Sequence, residues 1–429
     1  MLNHALLILG VMVVTFAIAS RLKVSVELSM LLAAVAGGLA HGSGFSARHI
    51  VDGAFTYFDV TLIFLSATFF MNIVKESGGV DYIVGGIVKR FHASRFLCLL
   101  FLTFILLIPG ALTGSGSVTV LVVGALAAKV LSEMGIPKEK VTAIVFLCAA
   151  MSAAAPPVNL WAMMAAAGSN MPYVGFVGPL GVLSIAGALF SMFWLGWKGT
   201  PIDAPKVLAE IKVDAKMRGW RVGIPFAVLI ALIALSRIFP HDFPILGLPL
   251  CFMLAAAAAA ATSAKRLPLL KIARDTVDSL LPLVGMMVVV GILVQAMSLS
   301  GVRGLISLSV VTLPLAVIIG ALFIILPLSE GLVQYASAPL LGVPLILLFN
   351  MKGIDPVVAL SAMAVMWPLG DMLPPTLVVG RAAVMVTGYD GPYYRGFVKA
   401  TIAPALFILA LSTLVVVFNG QLTFLKALG

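Results

Sequence analysis

The chain repeats its own pattern of apolar segments and prolines once. Pro109 recurs 218 residues later as Pro327, and Pro156-Pro157 recurs at the same offset as Pro374-Pro375. The apolar runs follow the same shift, those near 4–19, 24–40, 58–74, 96–113, 141–168 and 172–197 matching runs near 222–237, 242–258, 276–293, 314–331, 359–386 and 390–415. Two sets of apolar spans, each with one span interrupted by Pro-Pro, are typical of secondary transporters, whereas solenoid repeats are shorter and more numerous.

The composition indicates the solvent in which these spans fold. Hydrophobic residues make up 62% of the chain and charged residues 10%, whereas a soluble domain carries about 25% charged residues. Several runs reach the roughly 20 apolar residues that a membrane-crossing helix needs. They show no period-2 alternation, which excludes a β-barrel pattern. The sequence therefore predicts an all-α polytopic membrane protein.

The net charge of +10 is concentrated in a few short connections, which does not favour nucleic-acid binding. The basic residues that mark these connections are Arg21 and Lys23; Lys75, Lys89, Arg90 and Arg95; Lys138 and Lys140; those of 198–221; Lys265, Arg266, Lys271 and Arg274; and Arg395 and Lys399. Connections between them are poor in Lys and Arg. The positive-inside rule then places the basic connections in the cytoplasm and both termini on the opposite side.

The repeat predicts three parts of the chain. They are a first repeat at 1–197, with a hairpin at 96–134 and a broken helix at 141–168; a cytoplasmic linker at 198–220, within which 205–217 forms either a solvated connector or a short amphipathic helix; and a second repeat at 221–429, with a hairpin at 314–350 and a broken helix at 357–387. Each repeat has about five crossings plus the hairpin, re-entrant or fully spanning. Because five is odd, the second repeat is expected to be inverted relative to the first.

The Pro-Pro pairs mark the most probable position of an ion site, although a purely structural kink is the alternative. Proline removes a backbone donor and clashes with the preceding turn, so each helix must open just before its pair. Freed carbonyls and half-helix ends can then hold ions. Together with the hairpin tips they predict two cation sites. The first consists of Thr113, Gly114, Ser115 and Ser117 with Ala154 and Ala155, and the second of Ser329, Glu330 and Gly331 with Gly370, Asp371 and Met372.

The motifs around these sites resemble those of a known family. The residues that carry the resemblance are Thr113-Gly114-Ser115-Gly116-Ser117, Gly135-Ile136-Pro137, Pro156-Pro157-Val158-Asn159, the stretch from Glu330 to Pro339, Gly353-Ile354-Asp355-Pro356 and Pro374-Pro375. In order and spacing they are similar to the large membrane subunit (DctM-like permease) of TRAP, or tripartite ATP-independent periplasmic, transporters. The first tip departs from that family's pattern because no acidic residue follows Ser117.

The resemblance implies a mechanism and a cellular setting. Members of this ion-transporter superfamily move organic anions by an elevator motion coupled to Na⁺. TRAP permeases sit in the bacterial inner membrane, with a small four-helix membrane subunit and a periplasmic substrate-binding protein as partners. The resemblance therefore implies Na⁺-coupled import of a carboxylate such as a dicarboxylate, with Na⁺ as coupling ion and no other cofactor. A stand-alone Na⁺- or H⁺-coupled anion symporter of the same superfamily is the alternative.

The two halves differ in their ionisable residues. Asp371 aligns with Ala153, Arg381 with Met163 and Glu330 with Leu112. Ionisable groups in membrane spans are costly and usually functional. Asp371 is expected to ligate a cation, to carry a proton or to pair with Arg381.

Three residues are candidates for contact with the substrate. Arg381 either clamps a substrate carboxylate or reaches the membrane interface. Asn159 and Thr376, near the starts of the two half-helices, complete the predicted substrate contacts, since helix N-termini favour anions.

Two other classes fit the sequence less well. An intramembrane hydrolase would need paired catalytic His or Asp residues on facing spans, but the five histidines lie in connections or at span ends. A channel has no need for a pair of broken helices in two halves. The sequence thus predicts a carrier and not an enzyme.

Overall fold

A computed structural model describes residues 2–42, 47–211, 213–239, 244 and 246–428. Within these ranges the regular structure is helical throughout, and 9 helices are long and apolar enough to cross a membrane. The predicted all-α polytopic membrane fold is therefore confirmed.

The described residues of the first half form twelve α-helices: α1 Leu2–Arg21, α2 Val26–His41, α3 Ala47–Phe55, α4 Phe58–Glu76, α5 Gly79–Phe91, α6 Arg95–Thr113, α7 Gly116–Thr119, α8 Ala125–Glu133, α9 Lys138–Ala154, α10 Leu160–Gly168, α11 Val177–Gly196 and α12 Ala204–Glu210. A π-helical turn, Val120–Gly124, joins α7 to α8. In the linker, α12 is shorter than the amphipathic helix considered from the sequence.

The second half forms nine more: α13 Gly219–Ile238, α14 Leu248–Thr262, α15 Leu269–Leu299, α16 Val302–Val311, α17 Leu315–Val333, α18 Val343–Met351, α19 Pro356–Met366, α20 Val378–Thr387 and α21 Lys399–Val417. Shorter turns are 3₁₀-helical at Gln334–Ala336, Trp367–Met372, Asn419–Gln421 and Thr423–Leu428, and π-helical at Ala338–Gly342 and Tyr393–Val398. Elements thus follow one another in the same order in both halves. One difference is that α15 is a single helix where the first half has the pair α3 and α4. The inverted relation of the halves stays a prediction.

The helices pack into two groups. Helices α1–α4 and α13–α15 contact mainly one another and form what we call the frame group. Helices α6–α11 and α17–α21 form the core group. The amphipathic arms α5 and α16 bridge them, since α5 contacts α4 and α6, and α16 contacts α15 and α18.

Burial follows the same division. In α9 every residue from Val141 to Ala154 is buried, and Trp161 and Trp367 are fully enclosed in the core group. By contrast, only 22% of the span in α1 and 17% of that in α13 is buried. Because these outer helices are apolar, their exposed faces suit lipid.

Candidate cation and substrate site

Each broken helix contacts the hairpin tip of its own half. In the first half the Val158 amide donates to the Ala111 carbonyl at 3.0 Å. In the second, the Thr376 amide and hydroxyl both donate to the Gly331 carbonyl, at 3.3 and 3.0 Å. Both Pro-Pro bonds are cis. The pairing of tip and break that the repeat predicted is therefore present in both halves.

Tip and break approach so closely that each contact needs a glycine, and the tightest approach is on a different element in each half. In the first half the glycine is on the hairpin, where a Cβ on Gly110 would lie 2.0 Å from the Ser152 hydroxyl oxygen. In the second half it is on the broken helix, where a Cβ on Gly370 would lie 1.9 Å from the Pro327 carbonyl oxygen. Neither position can take a side chain without a shift of its neighbour.

The first site is neutral, and its polar groups bond to one another. The Thr113 hydroxyl donates to the Pro109 carbonyl at 2.8 Å and accepts the Ser115 amide at 3.3 Å. The Asn159 side-chain amide donates to the Ala154 carbonyl at 2.8 Å. That carbonyl, predicted to be free for a cation, thus already has a donor.

The second site contains two buried carboxyl groups. Glu330 is fully buried, and its Oε2 accepts hydrogen bonds from Trp161 Nε1 at 2.7 Å and Ser337 Oγ at 2.6 Å. Among the described residues its Oε1 has no partner. Asp371, 5% exposed, lies close enough to Glu330 for their charges to interact. A buried carboxylate with an unpaired oxygen is costly, so the site calls for a cation or a proton.

Asp371 is available for such a ligand. Among the described residues its carboxylate forms no ion pair, and in particular none with Arg381. Arg381 is exposed. The pairing of Asp371 with Arg381, one of the alternatives left open by the sequence, is therefore absent from this structure.

A cavity of about 660 Å³ lies between the frame and core groups. Its core-side wall includes Ser115, Ser117, Gln334, Tyr335 and Asp371, together with the start of α20 at Val378 and Val379. The frame side contributes Phe64, Thr68 and Asn72 from α4 and Ile272, Ser279 and Leu283 from α15, with Glu27, Lys75, Glu76, Lys271 and Asp275 as the charged residues. The charged residues of α4 and α15 in this wall lie near the basic connections, which the charge distribution assigns to the cytoplasm.

Of the residues predicted from the sequence, Ser115, Ser117 and Asp371 line this cavity. The others lie outside its lining, namely Thr113, Gly114, Ala154, Ala155, Asn159, Ser329, Glu330, Gly331, Gly370, Met372, Thr376 and Arg381. Glu330 belongs to the second tip and bonds to Ser337. Gly370 packs against Pro327 and Glu330 of the same hairpin. Asn159 is fully buried and caps α10 by accepting the Ala162 amide at 2.8 Å. The predicted roles of these residues in binding stay predictions.

Sequence reasoning missed several neighbours of the acidic pair. Trp161 donates a hydrogen bond to Glu330, and its ring centroid lies 4.7 Å from that of Tyr335. Gln334 adopts a left-handed φ of 52° at the second tip. Nothing in the sequence shows that a tryptophan of the first half reaches an acid of the second, because this contact depends on how the halves pack.

Two side-chain hydrogen bonds join the groups across the cavity and beside it. Lys75 of α4 donates to the Leu121 carbonyl in the π-helical turn at 2.9 Å. Arg303 of α16 donates to the Gly168 carbonyl at the end of α10 at 2.5 Å. Each is a cation from the frame side or its arm bonded to a backbone oxygen of the core group.

Comparison with known proteins shows the fold. No family model and no curated protein matches the chain. The structure is similar to the YdaH transporter of Alcanivorax borkumensis, with a TM-score of 0.64 and 15% identity over 92% of this chain and 98% of that one. It is also similar to MtrF of Neisseria gonorrhoeae, from a class of antimetabolite efflux pumps, with a TM-score of 0.60 and 14% identity over 85% of this chain and 83% of that one. At this identity the likeness establishes a shared multi-pass membrane fold, and membership of the TRAP family stays a prediction.

Proposed function

We propose that this protein is a secondary active transporter that carries a small organic anion across the bacterial inner membrane together with Na⁺. The observation that carries the proposal is that, among the described residues, Oε1 of fully buried Glu330 has no partner and the buried Asp371, whose charge interacts with that of Glu330, forms no ion pair. Carboxylate, hydroxyl and carbonyl oxygens suit a hard cation. A bound Na⁺ would supply the charge that these two acids lack in the protein itself.

The second site is the stronger of the two predicted cation sites. Ser337 and Trp161 already orient Glu330, and the Asp371 carboxylate opens onto the cavity. In the first site the Thr113 hydroxyl and the Ala154 carbonyl are engaged by protein donors. A cation there would need to compete with those hydrogen bonds.

An anion fits the cavity once the acids are neutralised. The start of α20 lines the cavity and has no side-chain cap, so its first amides and the positive end of its dipole face the ligand. Ser115 and Ser117 add hydroxyl donors on the same wall. Coupling follows, because an anion would be repelled by Asp371 until the cation is bound.

The division into groups suits an elevator motion. The cavity lies between frame and core, and its core-side wall comprises both hairpin tips and the start of α20. We propose that the core group carries cation and anion together past the frame. A small four-helix membrane subunit and a periplasmic binding protein remain the proposed partners for import. The alternative is a stand-alone symporter, with Na⁺ or H⁺ as coupling ion.

The test is uptake of labelled dicarboxylates and sugar acids by proteoliposomes that hold the purified chain. We expect uptake to require an inward Na⁺ gradient and to fall at least a hundredfold in Glu330→Gln and Asp371→Asn, since buried unpaired charge is worth several kcal/mol. Glu139→Gln, a carboxylate at the start of α9 that does not line the cavity, is the control and should transport normally.

Three outcomes would redirect the proposal. Full uptake in Na⁺-free buffer with a proton gradient would make Glu330 and Asp371 proton carriers. Uptake that needs added binding protein and small subunit would identify the tripartite system. Normal uptake in both acid variants would refute cation coupling at the second tip.

A further inference from the structure

The outer surface of the core group has an open aromatic groove at the end of α11. Its volume is about 660 Å³, and it is lined by Leu189, Phe190, Phe193, Trp194, Trp197 and Lys198. Trp194 is 60% and Trp197 48% exposed. We call it the aromatic groove; it is separate from the cavity between the groups.

The walls of the aromatic groove are held by ring stacking. Phe190 stacks on Phe407 of α21 with centroids 3.8 Å apart and on Trp194 at 5.4 Å. Phe193 stacks on Phe96 of α6 at 5.2 Å. Three helices of the core group thus fix the shape of the groove, so it is a formed surface and not a chance gap between loose side chains.

Two cations stand at one end of the groove. Lys198 follows α11 directly and is part of the lining. Arg95 lies in the first turn of α6, and its guanidinium is 4.6 Å from the ring centroid of Trp197. Neither forms an ion pair with a described residue.

We propose that the aromatic groove binds an anionic phospholipid, with an acyl chain against the rings and the phosphate between Arg95 and Lys198. The argument is charge complementarity on an apolar surface. Both cations lie in connections that the positive-inside rule assigns to the cytoplasm, where anionic headgroups attract basic side chains. The inference rests on this orientation and not on the proposed transport activity.

The experiment is native mass spectrometry of the purified chain titrated separately with phosphatidylglycerol and phosphatidylethanolamine. Since one basic residue near an anionic surface contributes about a fivefold gain in affinity, Lys198→Gln should bind phosphatidylglycerol about fivefold more weakly. The double variant Arg95→Gln, Lys198→Gln should lose roughly 25-fold in affinity for phosphatidylglycerol and much less for phosphatidylethanolamine, because the ammonium group of that lipid offsets the charge of its phosphate. Trp194→Ala should weaken both lipids.

The matched control is Arg218→Gln with Trp220→Ala. Trp220 lies at the start of a span and, like Trp194 and Trp197, is about half exposed, at 52%. It lines no part of the aromatic groove. This variant should bind both lipids like the unaltered chain. If Trp194→Ala fails to fold, the surface charge variants still carry the test.

Equal binding of the two lipids by the unaltered chain, or undiminished phosphatidylglycerol binding in the double charge variant, would overturn the proposal. So would efficient disulfide cross-linking between two copies of Trp194→Cys in native membranes, which would identify a second copy as the occupant.

Discussion

The two junctions of hairpin tip and broken helix share a scaffold and differ in chemistry. At the first, hydroxyl, amide and carbonyl groups bond to one another, and the half-helix α10 is capped by Asn159. At the second, two acids replace Ala153 and Leu112, and among the described residues one carboxylate oxygen has no partner and α20 has no side-chain cap. Two junctions built from the same order of elements therefore differ in chemistry. At the first junction the polar groups named above bond to one another, whereas at the second a carboxylate oxygen is available to a ligand.

The largest expected effect comes from the glycine at each junction. Gly370→Ala should prevent correct folding, since its Cβ would meet the backbone oxygen of Pro327, which cannot rotate away. Gly110→Ala should also destabilise the fold, but there the nearest atom belongs to the Ser152 side chain.

Expression level and monodispersity on size-exclusion chromatography measure both effects. Adding Ser152→Gly to Gly110→Ala should restore part of the yield, whereas no single change of a side chain should rescue Gly370→Ala. Good yield of Gly370→Ala alone would show that the second junction is looser than the structure indicates.

A smaller effect on the free energy of unfolding should distinguish Trp161 of the first half from Trp367 of the second. Trp161 donates to Glu330, whereas Trp367 Nε1 has no hydrogen-bond partner among the described residues. Trp161→Phe should cost roughly 1.5–3 kcal/mol, as expected for a hydrogen bond to a charged group. Trp367→Phe should be neutral or slightly stabilising, because it removes a buried polar group that has no partner.

Thermal unfolding in detergent, with and without NaCl, compares these variants. The Trp161→Phe midpoint should fall and its stabilisation by Na⁺ should weaken, while Trp367→Phe keeps the full response to Na⁺. Equal midpoints would mean that the hydrogen bond to Glu330 contributes nothing measurable.

The smallest expected effect is at Arg381, which occupies the position of Met163 in the first half. Because its side chain is exposed and outside the cavity lining, Arg381→Met should keep uptake within about twofold, as usual for a surface change. Initial uptake rates at several substrate concentrations test this. A marked rise in KM for the anion, with Na⁺ affinity retained, would instead support the sequence-based role of Arg381 as a carboxylate clamp.

The all-α membrane fold could be predicted from the sequence because its signals are local. Proline pairs, polar tips and apolar run lengths all report on one segment at a time, and helices occupy 95–133, while the hairpin at 96–134 stays a prediction. The same reasoning identified Ser115, Ser117 and Asp371, which line the cavity. The hydrogen bonds within the candidate site could not be predicted from the sequence. Asn159 donates a hydrogen bond to the Ala154 carbonyl, and Trp161 donates one to Glu330 of the other half. Such contacts depend on side-chain packing, which sequence patterns do not report.

The bonds from Lys75 to Leu121 and from Arg303 to Gly168 have a mechanical consequence. Each joins a flexible cationic side chain to a main-chain oxygen rather than to a unique carboxylate. Gly168 ends α10, and a helix end offers several such oxygens in succession. If the core group slides along the frame group, the Arg303 side chain can move its hydrogen bond from one carbonyl oxygen to the next without losing a partner. If the proposed elevator motion occurs, such hydrogen bonds would keep the two groups aligned while opposing the motion only weakly.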